Sequence, residues 1–257
     1  MLSILFEIKN GVAVITLNRP EKLNSFNREM ALLLQKHLDD CKDPAIRCVY
    51  ITGAGKAFSA GQDLAEVVDP QGPGMGKILS EHYNPIVTRI KALEKPVVAA
   101  INGVAAGAGA NIALACDIVV ATESASFIQA FSKIGLIPDS GGTYTLPRLI
   151  GQQKSTALMM LGEKVSATDA EKMGMIYKVF ADDQFAENAF NIAVFLANMP
   201  TKGLALTKQA LQASEQNSWE QQLSAEDKLQ QQAAATEDYA EGVNAFLNKR
   251  KPEFKGK

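Results

Sequence analysis

The sequence predicts an α/β core of strand–strand–helix units followed by an all-helical C-terminal region. Two observations carry this. Short apolar runs alternate with amphipathic helical stretches up to about Ala181, and beyond it the pattern turns helical. Loops rich in small residues recur at one end of these units, with no close sequence repeat. The chain has 257 residues, enough for one large domain or a domain with a helical appendage. We read 1–199 as the core and 200–257 as a helical oligomerisation region, with a soft boundary near Pro200.

Taken in order, the chain opens with a hairpin. Phe6–Ile8 and Val12–Leu17 flank Asn10-Gly11, a type I′ turn signal. Between Asn27 and Cys41 the apolar Met30, Leu33, Leu34 and Leu38 form one stripe of a helix. Ile46–Thr52 reads as a buried strand ending at Gly53-Ala54-Gly55. The segment 67–76 collects Pro70, Gly72, Pro73, Gly74 and Gly76 and is expected to be a mobile loop. A helix up to about Leu93, a strand at Val97–Ile101, a helix at Ala106–Ala115 and a strand at Ile118–Ala121 follow. Ser166–Asp169 and Ser218–Gln221 have the spacing of capping boxes. Helices are expected at Thr201–Ala213, Trp219–Ala235 and Glu237–Lys249, with Gln230–Gln232 on a solvated face.

Composition narrows the function. Hydrophobic residues are 47% and charged residues 21%, with a net charge of −2. No basic stripe is interleaved with aromatics, so nucleic acid is not an expected partner. Cys41, Cys48 and Cys116 form no C-x-x-C pair, which argues against disulfides and a zinc site. His37 and His82 lack ligand neighbours at helical spacing, and no role is assigned to either. The start, Met1-Leu2-Ser3-Ile4, has no basic n-region, and the apolar stretch Val97–Val120 is broken by Asn102, glycines and Asp117. The chain is therefore expected in the cytoplasm, without a membrane partner.

Three segments look placed for chemistry. The runs Phe58–Leu64 and Asn102–Ala110 are rich in small residues. Free amides after Gly61, chiefly that of Gln62, and at Gly107-Ala108-Gly109 would form two donors for an oxyanion. Close helix–strand packing is the more common reason for such runs of small residues. The third is Asp139, in Ile137-Pro138-Asp139-Ser140-Gly141-Gly142. It suits either a proton-moving acid or a cap for the helix toward Leu149. Ser59 lacks the first glycine of a nucleophile elbow. Gly55-Lys56 is followed by Ala57, which excludes a phosphate loop.

A resemblance narrows these alternatives. Leu17–Asn24, Phe58–Leu64, Lys95–Gly103, Ala115–Val119 and Glu241–Phe246, in this order and spacing, resemble the crotonase superfamily, the enoyl-CoA hydratases and isomerases. The resemblance covers nearly the whole chain. It implies a spiral of ββα units, a C-terminal helical region used in trimers or dimers of trimers, and an acyl-CoA thioester as substrate. Coenzyme A is then part of the substrate, and no cofactor or metal is expected. The oxyanion hole maps onto the amides of Gln62 and Ala108. Ala60, Asp63, Leu64, Gly107 and Phe131 fall along the substrate path, and Lys22, Arg250 and Lys251 are candidates for the CoA phosphates. As single surface cations these three would otherwise be solvated.

Hydrating members carry two glutamates where this chain has Asn111 and Phe131. Asp139 matches the site of the single acid in isomerising members. Segments such as Asn24–Asn27 and Ala130–Asp139 are also similar to members that convert a ring epoxide of phenylacetyl-CoA to an oxepin, and to members that shift double bonds. The expected activity is thus isomerisation of a CoA thioester, and Phe131 offers either a core residue or an apolar wall for the acyl group. The competing class is a non-catalytic acyl-CoA-binding protein. Phe246 and Phe254 read as packing residues or an adenine contact.

Overall fold

A computed structural model describes residues 2–257. The hairpin forms as the turn chemistry dictates. β1 (Ile4–Lys9) and β2 (Val12–Leu17) pair antiparallel around Asn10 and Gly11, both at positive φ. α1 (Arg28–Asp40) begins where the Asn27 side chain accepts from Met30 N at 3.0 Å. Then come β3 (Cys48–Gly53), β4 (Ala57–Ser59), α2 (Leu64–Val68), α3 (Gly74–Lys77), a π-helical turn at Ile78–Tyr83 and α4 (Asn84–Ala92). β5 (Val97–Ile101), β6 (Val104–Ala106) and α5 (Ala108–Leu114) form the next unit. β7 (Ile118–Thr122), β8 (Ser126–Ile128), a 3-10 turn at Ala130–Ile134, α6 (Gly142–Ile150) and α7 (Gln152–Leu161) form another. β9 (Lys164–Ser166), α8 (Ala167–Lys172), β10 (Lys178–Phe180) and α9 (Phe185–Ala197) complete the core. α10 (Thr201–Ser214), α11 (Trp219–Ala234) and α12 (Glu237–Leu247) follow.

The strands form two sheets, in the orders β1-β2-β3-β5-β7-β10 and β4-β6-β8-β9. The units β3–β4, β5–β6 and β7–β8 each place one strand in the first sheet, the next in the second, and then a helix, while β1 and β2 both lie in the first. That is the expected ββα spiral. The first sheet is parallel from β2 onward, which suits a sheet covered on both faces. Its alternation shows both layers. Ala13, Ile15, Leu17, Ala99 and Ile101 join the main core with Met30, Leu34 and Ile90, while Val12, Val14, Val98 and Ala100 pack against Ala189, Ala193 and Ala197 of α9.

Two local readings change. Residues 67–76 are not one loop. Asp63 caps α2 through Ala65 N, and Gly74, at φ +70°, opens α3, so the irregular stretch shrinks to 69–73. At α8 the Ser166 hydroxyl accepts from Asp169 N and donates to the Asp169 carboxylate, so the cap lacks the return bond of a box. The box at α11 is reciprocal between Ser218 and Gln221.

The C-terminal region folds back onto the core. Arg47 donates to Thr201 Oγ1 (2.8 Å), Phe254 O (2.6 Å) and Met199 O (2.6 Å). Lys208 reaches Asp117 at 2.8 Å, and Asp238 accepts from the Lys255 and Gly256 amides. No helix among the described residues is long and apolar enough to cross a membrane.

Candidate active site

Phe26 and Gln62 form an isolated parallel bridge. Phe26 N donates to Gly61 O (2.7 Å) and Asp63 N donates to Phe26 O (2.8 Å). This pairing skips the Gln62 amide, which finds no acceptor among the described residues. At the start of α5, Gly107 N donates to Ile128 O (2.9 Å), and Gly107 adopts φ 52°, ψ −128°, a conformation left to glycine. Ala108 is the first residue of the helix, so its N–H has no intrahelical partner and no other among the described residues.

The two segments touch. A Cβ on Gly61, which sits at φ +89°, would stand 3.4 Å from Ala108 N and 2.9 Å from Ala106 O. A Cβ on Gly109 would lie 2.6 Å from Ser59 Oγ. Gly61 and Gly109 thus permit close packing, and the amides of Gln62 and Ala108, on the two segments in contact, have no partner among the described residues. Ser59 is fully buried and donates to Asn24 O at 2.8 Å, a structural role.

Asp139 does not cap a helix. Ser140 (φ 54°) and Gly141 (φ 76°) turn the chain into α6, whose N-cap makes no side-chain bond. The Asp139 carboxylate instead accepts from Ser140 Oγ at 2.7 Å and faces a cavity of about 460 Å³. Burial pushes its pKa above the ordinary aspartate value, and the Ser140 hydroxyl partly offsets this.

The same cavity is walled by Gln62 and Ala108, and by Ala60, Leu64, Gly107 and Phe131. Phe131 is buried in the 3-10 turn, with its ring edge 3.8 Å from where a Gly107 Cβ would be. The structure thus brings together seven expected residues from four segments. The others lie elsewhere. Asp63 pairs with Arg19 at 2.8 Å and caps α2, which accounts for its carboxylate without a ligand. Lys22 is exposed on the turn Pro20–Lys22. Arg250 grips Glu241 with two bonds of 2.6 and 2.7 Å, and Lys251 is exposed. Within one chain none of these cations lines the cavity. A larger hollow of about 580 Å³ between α1, α4 and the C-terminal tail gathers none of the expected residues.

Two further side chains support the site, and neither was an expected site residue. Tyr83 ends the π-helical turn, is buried, and donates to Gln62 Oε1 at 2.6 Å. Gln62 Nε2 in turn donates to Glu66 at 2.9 Å, so the residue bearing one free amide is held at its side chain. Burial raises the Tyr83 phenol far above its usual range, and the charge of Asp139 adds to this, so the phenol stays protonated. The second is Asn111, whose side chain donates to Asp139 O at 2.9 Å.

Among the residues lining the cavity Asp139 is the one carboxylate. Among the described residues no group of three His, Cys, Asp or Glu is placed to hold a metal. A carboxylate and two unpartnered amides on the wall of one cavity are groups that can move a proton and hold a carbonyl oxygen.

The family model for enoyl-CoA hydratase/isomerase matches residues 7–257. This chain belongs to the enoyl-CoA hydratase/isomerase family. Its members act on CoA thioesters. The 1,2-epoxyphenylacetyl-CoA isomerase of Escherichia coli (strain K12) is 50% identical, over 99% of this chain and 98% of that protein. The trans-2-decenoyl-[acyl-carrier-protein] isomerase of Streptococcus mutans is 37% identical over 99% and 98%. The crystal structure of enoyl-CoA hydratase from Bacillus anthracis superposes with a TM-score of 0.91 at 34% identity, covering 99% of this chain and 100% of that one. Relatives of both reaction types therefore share this crotonase fold.

Proposed function

We propose that the chain is an isomerase of CoA thioesters whose substrate is ring-1,2-epoxyphenylacetyl-CoA, converted to its oxepin isomer in phenylacetate breakdown. The observation that carries the reaction class is the single carboxylate on the cavity wall. Hydration of an enoyl thioester by paired acids needs a second carboxyl to hold water, and Asn111 and Phe131 occupy the places where it is expected. The 50% identity to the E. coli isomerase supports the acyl group, and the buried Phe131 ring gives the cavity an apolar wall that suits a cyclic acyl chain.

In this reading the Asp139 carboxylate takes a proton from the carbon next to the thioester. The C–H electron pair moves into the enolate, and the Gln62 and Ala108 amides carry the oxygen's charge. In the ring epoxide the carbon–carbon bond shared by the epoxide and the six-membered ring breaks, its electron pair and the two ring double bonds becoming the three double bonds of the seven-membered oxepin, and the same carboxyl returns the proton further along the acyl group, so no atom is gained or lost. Migration of a double bond in 3-enoyl-CoA requires the same proton path and is the secondary activity. Coenzyme A enters only as part of the substrate; Lys22, Arg250 and Lys251 are its proposed phosphate contacts, and the cytoplasm is the proposed compartment. The test is turnover of synthetic thioesters followed by chromatography. Oxepin formation from the ring epoxide should exceed double-bond migration, and both should exceed hydration of crotonyl-CoA. Reaction of linear 3-enoyl-CoA alone would remove the aromatic assignment.

Assembly is part of the same proposal. Phe246 is 83% exposed, Leu247 73% and Trp219 72% in the single chain, far more apolar surface than isolated helices need to present. We expect a homotrimer or a dimer of trimers through the helices after Pro200. Light scattering at micromolar concentration should give a mass of three or six chains, and a clean monomer would contradict it.

A further inference from the structure

We infer that Asn111 is a positioning residue that fixes the Asp139 carboxylate relative to the Ala108 amide, with Gln129 orienting it. The inference rests on the reading of Asp139 as the proton-moving acid. Asn111 is 1% exposed and lies one turn into α5, the helix that begins with the free Ala108 amide. Its Nδ2 donates to Asp139 O at 2.9 Å, and its Oδ1 accepts from Gln129 Nε2 at 2.8 Å. Asp139 O also accepts from Gly142 N at 2.8 Å. One buried amide therefore ties together the helix carrying the oxyanion donor, the turn carrying the acid and the segment leading to Phe131.

Three features show that this contact is specified. A backbone carbonyl only accepts, so the side chain at 111 must donate toward Asp139, and a carboxylate in its place donates nothing. Gly142 has no Cβ because one would stand 2.3 Å from Asn111 Nδ2; the amide fills that space. Gln129 leaves its buried Oε1 without a partner among the described residues, while its Nε2 stays on Asn111. An unsatisfied buried acceptor is costly, and here it accompanies the donor bond that sets which way the Asn111 amide points. A residue at this place in the chain thus acts through Asp139 rather than on the substrate.

The experiment compares Asn111→Ala, Asn111→Asp, Gln129→Met and Asp139→Asn in the full-length protein. The substrate is ring-epoxide thioester or 3-hexenoyl-CoA, whichever the wild type isomerises. Loss of the tie should lower kcat on the order of 10–10²-fold, the usual effect of a catalytic group displaced by about an ångström. Binding of the product thioester should stay within about twofold, since the cavity wall is intact. The acid limb of the kcat–pH profile should move to lower pH, because a looser turn admits water to Asp139 and relieves the burial that raises its pKa. Ser140 donates to that carboxylate, and Tyr83, Gln62 and Lys133 are the other polar groups lining its cavity; all four variants keep them. Asn111→Asp should behave like Asn111→Ala despite its shape. Loss of kcat matched by loss of product binding, with the acid limb unmoved, would mark general damage and overturn the inference. Should Asn111→Ala fail to fold, wild-type kcat in Gln129→Met overturns it equally. Near wild-type turnover in Asp139→Asn would refute the acid itself, a separate failure.

Discussion

Asp139→Asn is expected to cut turnover by about 10²–10⁴-fold, the usual contribution of a general acid–base group, while raising the melting temperature. The first effect follows from the geometry. Asparagine keeps the shape and still accepts from Ser140 Oγ, which lies 2.7 Å from Asp139 Oδ1. It cannot take a proton from carbon, and no second carboxylate lines the cavity to replace it. The stability effect follows from the sign of the pKa shift. Burial raises the folded-state pKa of Asp139 above its unfolded value. The folded state then favours the protonated form, so at neutral pH the ionised group destabilises the fold, and this penalty fades as pH falls through the folded pKa. A neutral amide removes the penalty at every pH. In the wild type the same shift should place the acid limb of kcat above the ordinary aspartate range. Melting curves and initial rates on one preparation check both effects; a variant that is slower and also less stable would mean that Asp139 holds the turn together.

Ala108→Pro should lower turnover by at least about 10²–10³-fold, the cost of losing one oxyanion donor. The substitution is cleaner than most proline changes. Ala108 is the first residue of α5, where proline is well tolerated because that N–H makes no helical bond. The preceding Gly107 has no Cβ to clash with the ring. What changes is the cavity wall, where a ring methylene replaces an N–H donor. Circular dichroism should show the helix content retained, so that the loss is assigned to the donor. Replacing the same amide by an ester through chemical ligation removes the N–H without the methylene, and unchanged kinetics in that folded variant would exclude the donor.

Much of the fold was legible because local chemistry and global packing agree. Asn10-Gly11 fixes the hairpin, Asn27 starts α1, and the apolar runs of β2 and β5 match strands covered on both faces. The second sheet was not legible. β4, β6 and β8 have three residues each, too few to show an alternation, and their Ala and Ser side chains give little strand signal. The site divides the same way. The glycines marked both oxyanion segments, but only the fold shows that Gly61 lies against Ala108 N. Asp139 had two readings of equal weight from its sequence context, and the fold decided between them: Ser140 and Gly141, both at positive φ, lead into a helix whose N-cap is Gly141 and which takes no side-chain cap. Tyr83 gave no signal, since a buried aromatic inside a helical stretch is ordinary core. Asn111 stood out only as the residue occupying an expected acid's place, and its bond to Asp139 O depends on two segments far apart in sequence.

The account stands on Asp139 moving a proton at the carbon next to the thioester. The most direct measurement is deuterium uptake at that carbon in D₂O, followed by mass spectrometry of the recovered thioester, in the wild type and in Asp139→Asn. The account predicts uptake in the wild type and its loss in the variant, with the Ala108→Pro protein slowed in parallel. Uptake at the wild-type rate in folded Asp139→Asn would contradict it.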